Sequence, residues 1–482
     1  MALTIHQKPL YDLLHSGEKI IYTVKDLQYV TNNVKVKYIA RVYVAPMVQD
    51  LGSTSNLAAN SLIAVLKTNP NSAGVGIFDF GAILDNYVSP DFEGGNANND
   101  GSSAQFSSFK SNTYDQQRHD IHLIDSFCAN QNACRYVRVI FNMEGAGSLQ
   151  GEVIETQNHQ TADELVIFNG YLQNTEILNE VSGNFGYNLS FHKYILNDDT
   201  DQFLTEAPKI QYIREKDYQT IAFFNNLQNG GTPGSFGVGS SNEVDSIKIQ
   251  YYYNGATVGS LITNVVANNG VINNLQTDSN RKLTYFGVGT ANQKNNGNPQ
   301  PSNWDYYTVQ AFDGGVAISD IYYFYKQEDD CKGFETIRLC WLNKFGTWDY
   351  YNFTKKSIRT FSKEAVSFQS LEGTWNGDKF SMEGYKGGKK IYKSKATEII
   401  ILNTDFITDE EAIWLESLFV SNHVYILSQN SNDANNQGTL RKYVEPVFMA
   451  SSELERQTTA NNGKKQYTFS INKSKMRKTH RT

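Results

Sequence analysis

His119 and His122, with Asp120 and Asp125 beside them in RHDIHLID, are of a type that could hold a metal ion. The flanking pattern reads as extended, and on a strand residues three apart point to opposite faces, so the pair cannot chelate. No third ligand stands at a metal-site spacing. Asp198, Asp199 and Asp201 in NDDTDQ offer the oxygens that calcium takes, but without the glycine at position six and the glutamate at twelve of an EF-hand loop. They read as a solvated turn between domains. SFGVGSS (235–241) and YFGVGTA (285–291) share Phe-Gly-Val-Gly, yet neither carries GxGxxG, a P-loop lysine or a following helical pattern. Glycines at strand ends or bulges explain both. There is no GxSxG, Cys128 has no orienting context beyond its nearness to His119 and His122, and the adjacent Asp329 and Asp330 diverge on a strand. The expectation is a chain without catalytic, metal or cofactor residues.

The chain has 482 residues, 13% aromatic and only 19% charged, with much Asn, Ser, Thr, Gln and Gly. Such a length exceeds one ordinary core, and the mixture favours strands joined by turns. A net charge of -7 supplies no global attraction to nucleic acid or to an anionic membrane. Cys128, Cys134, Cys331 and Cys340 are too few to staple a fold of this length and read as reduced, buried thiols. No apolar run reaches the roughly 18 to 20 residues of a membrane span. The first twenty residues lack the apolar region of a signal peptide, so the chain is expected to be made and kept in a cytoplasm until assembly or lysis.

Four segments follow from periodicity: a β-sandwich-like domain over 1–165, a bridge over 166–205, a β-rich domain over 206–389, and a small α+β domain over 390–482. The fold class expected is mainly β and multidomain. In NNVKVKYIARVYVAP, Val34, Val36, Tyr38, Ala40, Val42 and Val44 share one face while Lys35, Lys37 and Arg41 take the other. SLIAVLKT and RYVRVIFNM read as strands, FDFGAILDNYVS as a short helix over the sheet, and 91–118 as a long surface excursion. Asn254-Gly255 and Asp313-Gly314 each mark a hairpin turn. Thr408 with Glu411 forms a capping box that opens a helix with an apolar stripe of Ala412, Leu415 and Phe419 beside Trp414 and Leu418. Strands HVYIL, RKYVEPVFMASS and KQYTFSINKSK follow it.

The densest aromatic stretch, IRLCWLNKFGTWDYYNFTKKSIRTF (337–361), sets Trp341, Phe345, Trp348, Tyr350, Tyr351 and Phe353 within thirteen positions. Alternation gives a hairpin turning at residues 343–346, with Gly346 left-handed. Aromatics on both faces mark a central hairpin covered on both sides, whereas a stacking platform needs its rings on one open face. Trp341, Gly346, Trp348, Tyr350 and Phe353 are therefore structural residues. The C-terminal Lys473, Lys475, Arg477, Lys478 and Arg481 form a basic tail suited to a partner contact or a frayed end. Trp304, Tyr306 and Tyr307 are the aromatics through which a loop would grip glycan.

RLCWLNKFGTWDYYNF resembles a Trp-Leu-Asn-x-x-Gly-x-x-Asp-Tyr-x-x-Phe signature of virion structural proteins in tailed phages of Bacteroidota, including crAss-like podoviruses, and in related marine phages. VKYIARVYV, GVGIFDFGAILDNYVS, FLTEAPKIQYIREKDYQTIAFFNN, TDFITDEEAIWLESLFVSNHVYIL and KKQYTFSI agree with it in order. The chain departs where that pattern has a glycine pair and a shorter loop, here Gly346-Thr347, and in its Asn-rich insertions. The resemblance implies a tail or collar component, a ring or hub below the portal. It implies a homo-oligomer in contact with other tail and portal proteins, assembled in the host cytoplasm, with no catalytic residues to carry over. DNA enters that picture only if the ring's lumen conducts it. The competing expectation is a tail-tip adhesin that binds host surface glycan.

Overall fold

Valine and tyrosine alternating with lysine and arginine leave one face to bury, and the strand Val34–Ala45 does so inside a sheet, between Cys134–Ala146 and the edge strand Leu62–Thr68. In the computed structural model, which describes residues 2–45, 51–53, 56–57, 61–90, 127–130, 133–171, 191–224, 244–264, 283–295, 300–328, 333–375, 378–427, 444–451, 453–454, 465–475 and 477–478, the fold is mainly β with several sheets. The chain divides into two compact units, 1–327 with 343–349, and 328–342 with 350–482.

The first unit holds two sandwiches. One sheet orders Leu13–His15, Leu165–Phe168, Cys134–Ala146, Val34–Ala45 and Leu62–Thr68, and a smaller one pairs Ile21–Lys25 with Thr4–Gln7 and Val75–Asp79. Tyr22, Tyr38, Phe78, Phe80 and Phe141 belong to the core they share. In the second sandwich, Ile210–Ile213, Tyr322–Lys326, Tyr306–Asp313, Ser246–Tyr253 and Ala256–Asn264 make the larger sheet, and Thr220–Phe224, Leu283–Gly287 and Phe127–Asn130 the smaller. Ile247, Ile249, Val309, Phe324, Ile221, Phe223 and Phe286 close this core. The short helix Gly81–Leu84 follows Val75–Asp79, as its spacing predicts.

The second unit is one sheet with a helix. Its strands run in the order Trp348–Phe353, Ile337–Leu342, Val424–Leu427, Val444–Met449, Thr468–Lys473, Lys389–Asn403 and Ile358–Gln369. The helix Asp409–Val420 begins at the expected capping box, Thr408 Oγ1 accepting from Glu411 N and Glu411 Oε2 from Thr408 N. Its buried side chains are Ala412, Trp414, Leu415 and Leu418, while Phe419 is half-buried.

Strand pairings cross the segment boundaries read from periodicity. Phe127–Asn130 pairs with Leu283–Gly287, and the strands of the 337–353 hairpin lie in the same sheet as Lys389–Asn403 and Thr468–Lys473. Local period reports which face a strand buries and is blind to partners far along the chain. Asn254 and Gly255 both have positive φ, 48° and 78°, as a type I′ turn requires. The second turn differs from expectation, because the left-handed pair is Gly314 and Gly315 rather than Asp313 and Gly314. YFGVGTA is followed by a helix after all, Thr290–Asn295. That helix buries polar residues, Thr290, Asn292 and Gln293, so no apolar stripe announces it.

Candidate functional site

The hairpin signature is built from positions that fix backbone. Asn343 Oδ1 accepts from the N–H groups of Phe345 and Thr347, 3.0 and 3.2 Å away, which folds the turn. Gly346 has φ +71°, and a Cβ there would sit 1.6 Å from the carbonyl oxygen of Asn169. Only glycine fits this close approach. Asp349, 2% exposed, accepts from Thr205 Oγ1 at 2.5 Å and from the Glu206 N–H at 3.2 Å.

The aromatic positions of the signature are packed. Trp341 is fully buried, 5.3 Å from Trp414 between ring centres, and its Nε1–H donates to Ser417. Arg338 lies 5.2 Å over the ring of Tyr350 and donates to Asn352; the ring's negative face and the amide oxygen attract the buried guanidinium. Phe353 meets Phe469 edge to face at 5.7 Å, and Trp348 is buried. Both faces of the hairpin are covered, as the sequence pattern predicts. Its place differs: Trp348–Phe353 ends the hydrogen-bonded order of its sheet rather than lying at the centre.

Of the three aromatics expected to meet glycan from a loop, Trp304 and Tyr307 are core residues, 2% and 0% exposed. Tyr307 packs against Phe324 and Tyr251, and Trp304 against Tyr251. The correction has a simple cause: Tyr306 and Tyr307 are neighbours on the strand Tyr306–Asp313, so they point to opposite faces. Tyr306 points outward within a row of tyrosines drawn from successive strands. Tyr252 lies 4.7 Å away at 10° and Tyr325 5.0 Å away at 29°, and Tyr212 follows Tyr325 at 6.2 Å. Both faces of the Tyr306 ring are thus taken by other rings. No face is left for a sugar or base to stack on.

Beside this row the same sheet face forms a groove of about 200 Å³. Lys248, Gln250, Thr308 and Gln310 lie along it, with Tyr306 and Tyr323 among its walls. Gln250 Nε2 donates to Tyr252 Oη and Thr257 Oγ1, and Gln310 Nε2 to the carbonyl of Ser319. Those bonds fix the amides beside the groove, and Lys248 is the cation along it. The alternation in SIKIQYYY and YYTVQAFD was the signal for these residues; the eye goes instead to the aromatics.

The basic tail is largely structure. Lys473 lies in the strand Thr468–Lys473 and pairs with Glu445 at 3.0 Å and Glu398 at 3.7 Å, so it is an internal ion-pair residue and not a free docking charge. Arg477–Lys478 is a short strand on Lys389–Asn403, Lys475 is exposed, and Arg481 falls outside the described residues. So do His119, His122, Cys331, Asp329 and Asp330. Asp198 and Asp201 accept hydrogen bonds from main-chain N–H groups of their own turn, at Thr200 and at Asn197 and Asp198. Cys134 and Cys340 are buried and outside any disulfide, and burial pushes the Cys340 thiol well above its usual range. Among the described residues no group of three or more His, Cys, Asp or Glu could hold a metal, and no helix is long and apolar enough to cross a membrane.

No family model matches the chain, and no curated protein does. Among solved structures it is similar to the tail of an empty GTA particle with C6 symmetry, at 14% identity and a TM-score of 0.16, over 30% of this chain and 96% of that one. It is also similar to the native conformation of E. coli alpha-2-macroglobulin, at 10% identity and a TM-score of 0.19, over 83% of this chain and 22% of that one. For Salmonella alpha-2-macroglobulin reacted with methylamine the values are 8%, 0.18, 97% and 22%. The chain spans less than a quarter of either macroglobulin. At TM-scores this low none of the three bears on function.

Proposed function

We propose that the chain is a non-catalytic virion structural protein, a ring or hub component of a phage tail or collar that oligomerises and contacts neighbouring tail proteins. The observation that carries this reading is the use made of the signature residues. Asn343, Gly346 and Asp349, the positions most suggestive of chemistry, all bind or approach main chain, and Trp341, Tyr350 and Phe353 are packed. A recurrent pattern consumed by backbone geometry is what a shape-holding module needs, and it is the pattern by which the chain resembles virion proteins.

A map of particles that contain the chain tests the reading. The expected result is density for this chain in a closed ring around the tail axis; density on an appendage, or none, overturns it. The groove beside Tyr306 favours a second reading, an adhesin for surface glycan, since fixed amides and a hydroxyl match the alternating donors and acceptors of sugar hydroxyls. Binding to a glycan array that is lost in Gln250→Ala and Gln310→Ala would support it. Because Trp304 and Tyr307 are core residues, Trp304→Ala and Tyr307→Ala act there only through folding.

A further inference from the structure

In the second unit, the strand Ile358–Gln369 is exposed at every one of its 12 residues, and so are the first five of its partner Lys389–Asn403. A two-stranded ribbon with no third layer is marginal in water. This one nevertheless carries a folded tip. Ser370 N donates to the Gly388 carbonyl, Thr374 N to Ser381 and Lys386 N to Glu383, while Trp375 packs on Phe380 at 5.5 Å and donates to the Glu372 carbonyl. The tip is preshaped and still apolar outside: Leu371 is 73% exposed, Trp375 72%, Met382 71%, Tyr385 73% and Phe380 57%. So many large apolar side chains on one element mark a surface that a partner covers, and their fixed shape lowers the ordering cost of binding.

We infer that this hairpin is an oligomerisation arm whose apolar tip and basic flanks dock on a second copy of the chain. Charge selects that occupant. Residues 358–395 hold eight Lys or Arg and four Asp or Glu, a net +4, which leaves -11 for the remainder of a chain whose total is -7. A basic arm on an acidic body is attracted to the next body, and an arm that reaches forward makes the head-to-tail contact from which rings close. The inference deepens the ring reading and names its partner surface.

The chain is examined by sedimentation over a range of concentrations and at low and high salt, beside the triple variant Leu371→Ser, Trp375→Ser, Met382→Ser. Association is expected in the native chain, weakened at least tenfold both by the variant and by high salt. In parallel, a photo-crosslinking benzoylphenylalanine replaces Trp375, and its adducts are expected between chains, on peptides rich in Asp and Glu. Equal association of the variant, adducts confined to one chain, or a monomeric native chain that binds anionic vesicles through Trp375 would each overturn the arm. The site is so exposed that misfolding of the variant is checked by an unchanged circular dichroism spectrum, and the crosslinker decides the matter without it. A particle whose ring assembles normally from the triple variant sinks the arm alone, whereas absence of the chain from the ring sinks the ring reading and leaves solution association standing.

Discussion

His15 is fully buried among Phe168, Phe191 and Phe345, with ring centres 4.7, 4.6 and 6.3 Å away, and neither ring nitrogen has a hydrogen-bond partner among the described residues. Burial, helped by the Lys344 ammonium, lowers its pKa from 6.5 to about 3. The unfolded chain therefore takes up the proton first as pH falls. Stability from this group is complete above about pH 6.5 and is lost between there and about pH 3, amounting to about 2 kcal/mol at pH 5. Urea denaturation at pH 7 and pH 5 should show that loss in the native chain and a flatter dependence in His15→Phe, which keeps the aromatic packing; equal slopes would refute the assignment. Sequence singled out His119 and His122 by their spacing and gave no weight to His15, whose importance comes from burial between strands distant in the chain. The same limit explains Trp304, whereas Tyr307 was legible: alternation sets it with Val309 and Ala311 on the buried face and leaves Tyr306 with Thr308 and Gln310 on the other.

A hairpin is the largest unit that the sequence specified in full, because its turn, register and faces are all local. Asn343 through Gly346, the two-sided burial of Trp341 and Trp348, and the Asn254-Gly255 turn were each legible from spacing. What local pattern could not supply was the neighbour beyond the hairpin, hence the misplacement of Trp348–Phe353 at a sheet centre; the second glycine turn was displaced by one residue because Asp313-Gly314-Gly315 offers two adjacent pairs that suit such a turn. Gly346 offers the sharpest test at this scale. Alanine there would be strained by φ +71° and would drive a Cβ to 1.6 Å from the Asn169 carbonyl oxygen, so the turn must move. Gly346→Ala is expected to cost at least about 2 kcal/mol, read as a lower urea midpoint with slope retained. A variant as stable as the native chain would show that the turn relaxes freely and that the signature glycine serves something other than this approach.

Across the whole molecule, charge is segregated rather than spread, and the segregation decides which basic residues are available to partners. The C-terminal cluster looks in sequence like a counterpart of the 358–395 arm, yet its Lys473 joins Arg359, at the base of that arm, in an internal network. Lys473 lies between Glu445 and Glu398, and Glu398, 6% exposed, also receives Arg359 at 2.7 Å. Removing one cation from such a network leaves a buried carboxylate less compensated, and that loss is larger than the pair's net contribution. Lys473→Ala is therefore expected to destabilise the chain by about 1 to 3 kcal/mol, whereas Lys475→Ala, at an exposed position, should stay within about 0.5 kcal/mol. By the same reasoning, truncation after Ile471 removes Lys473 and the strand Arg477–Lys478, and any failure of assembly would then follow from a weakened sheet. Denaturation of the two point variants, set beside their assembly into particles, separates the cases: if Lys473→Ala folds with native stability and still fails to assemble, its charge serves a partner and the internal network is not its role.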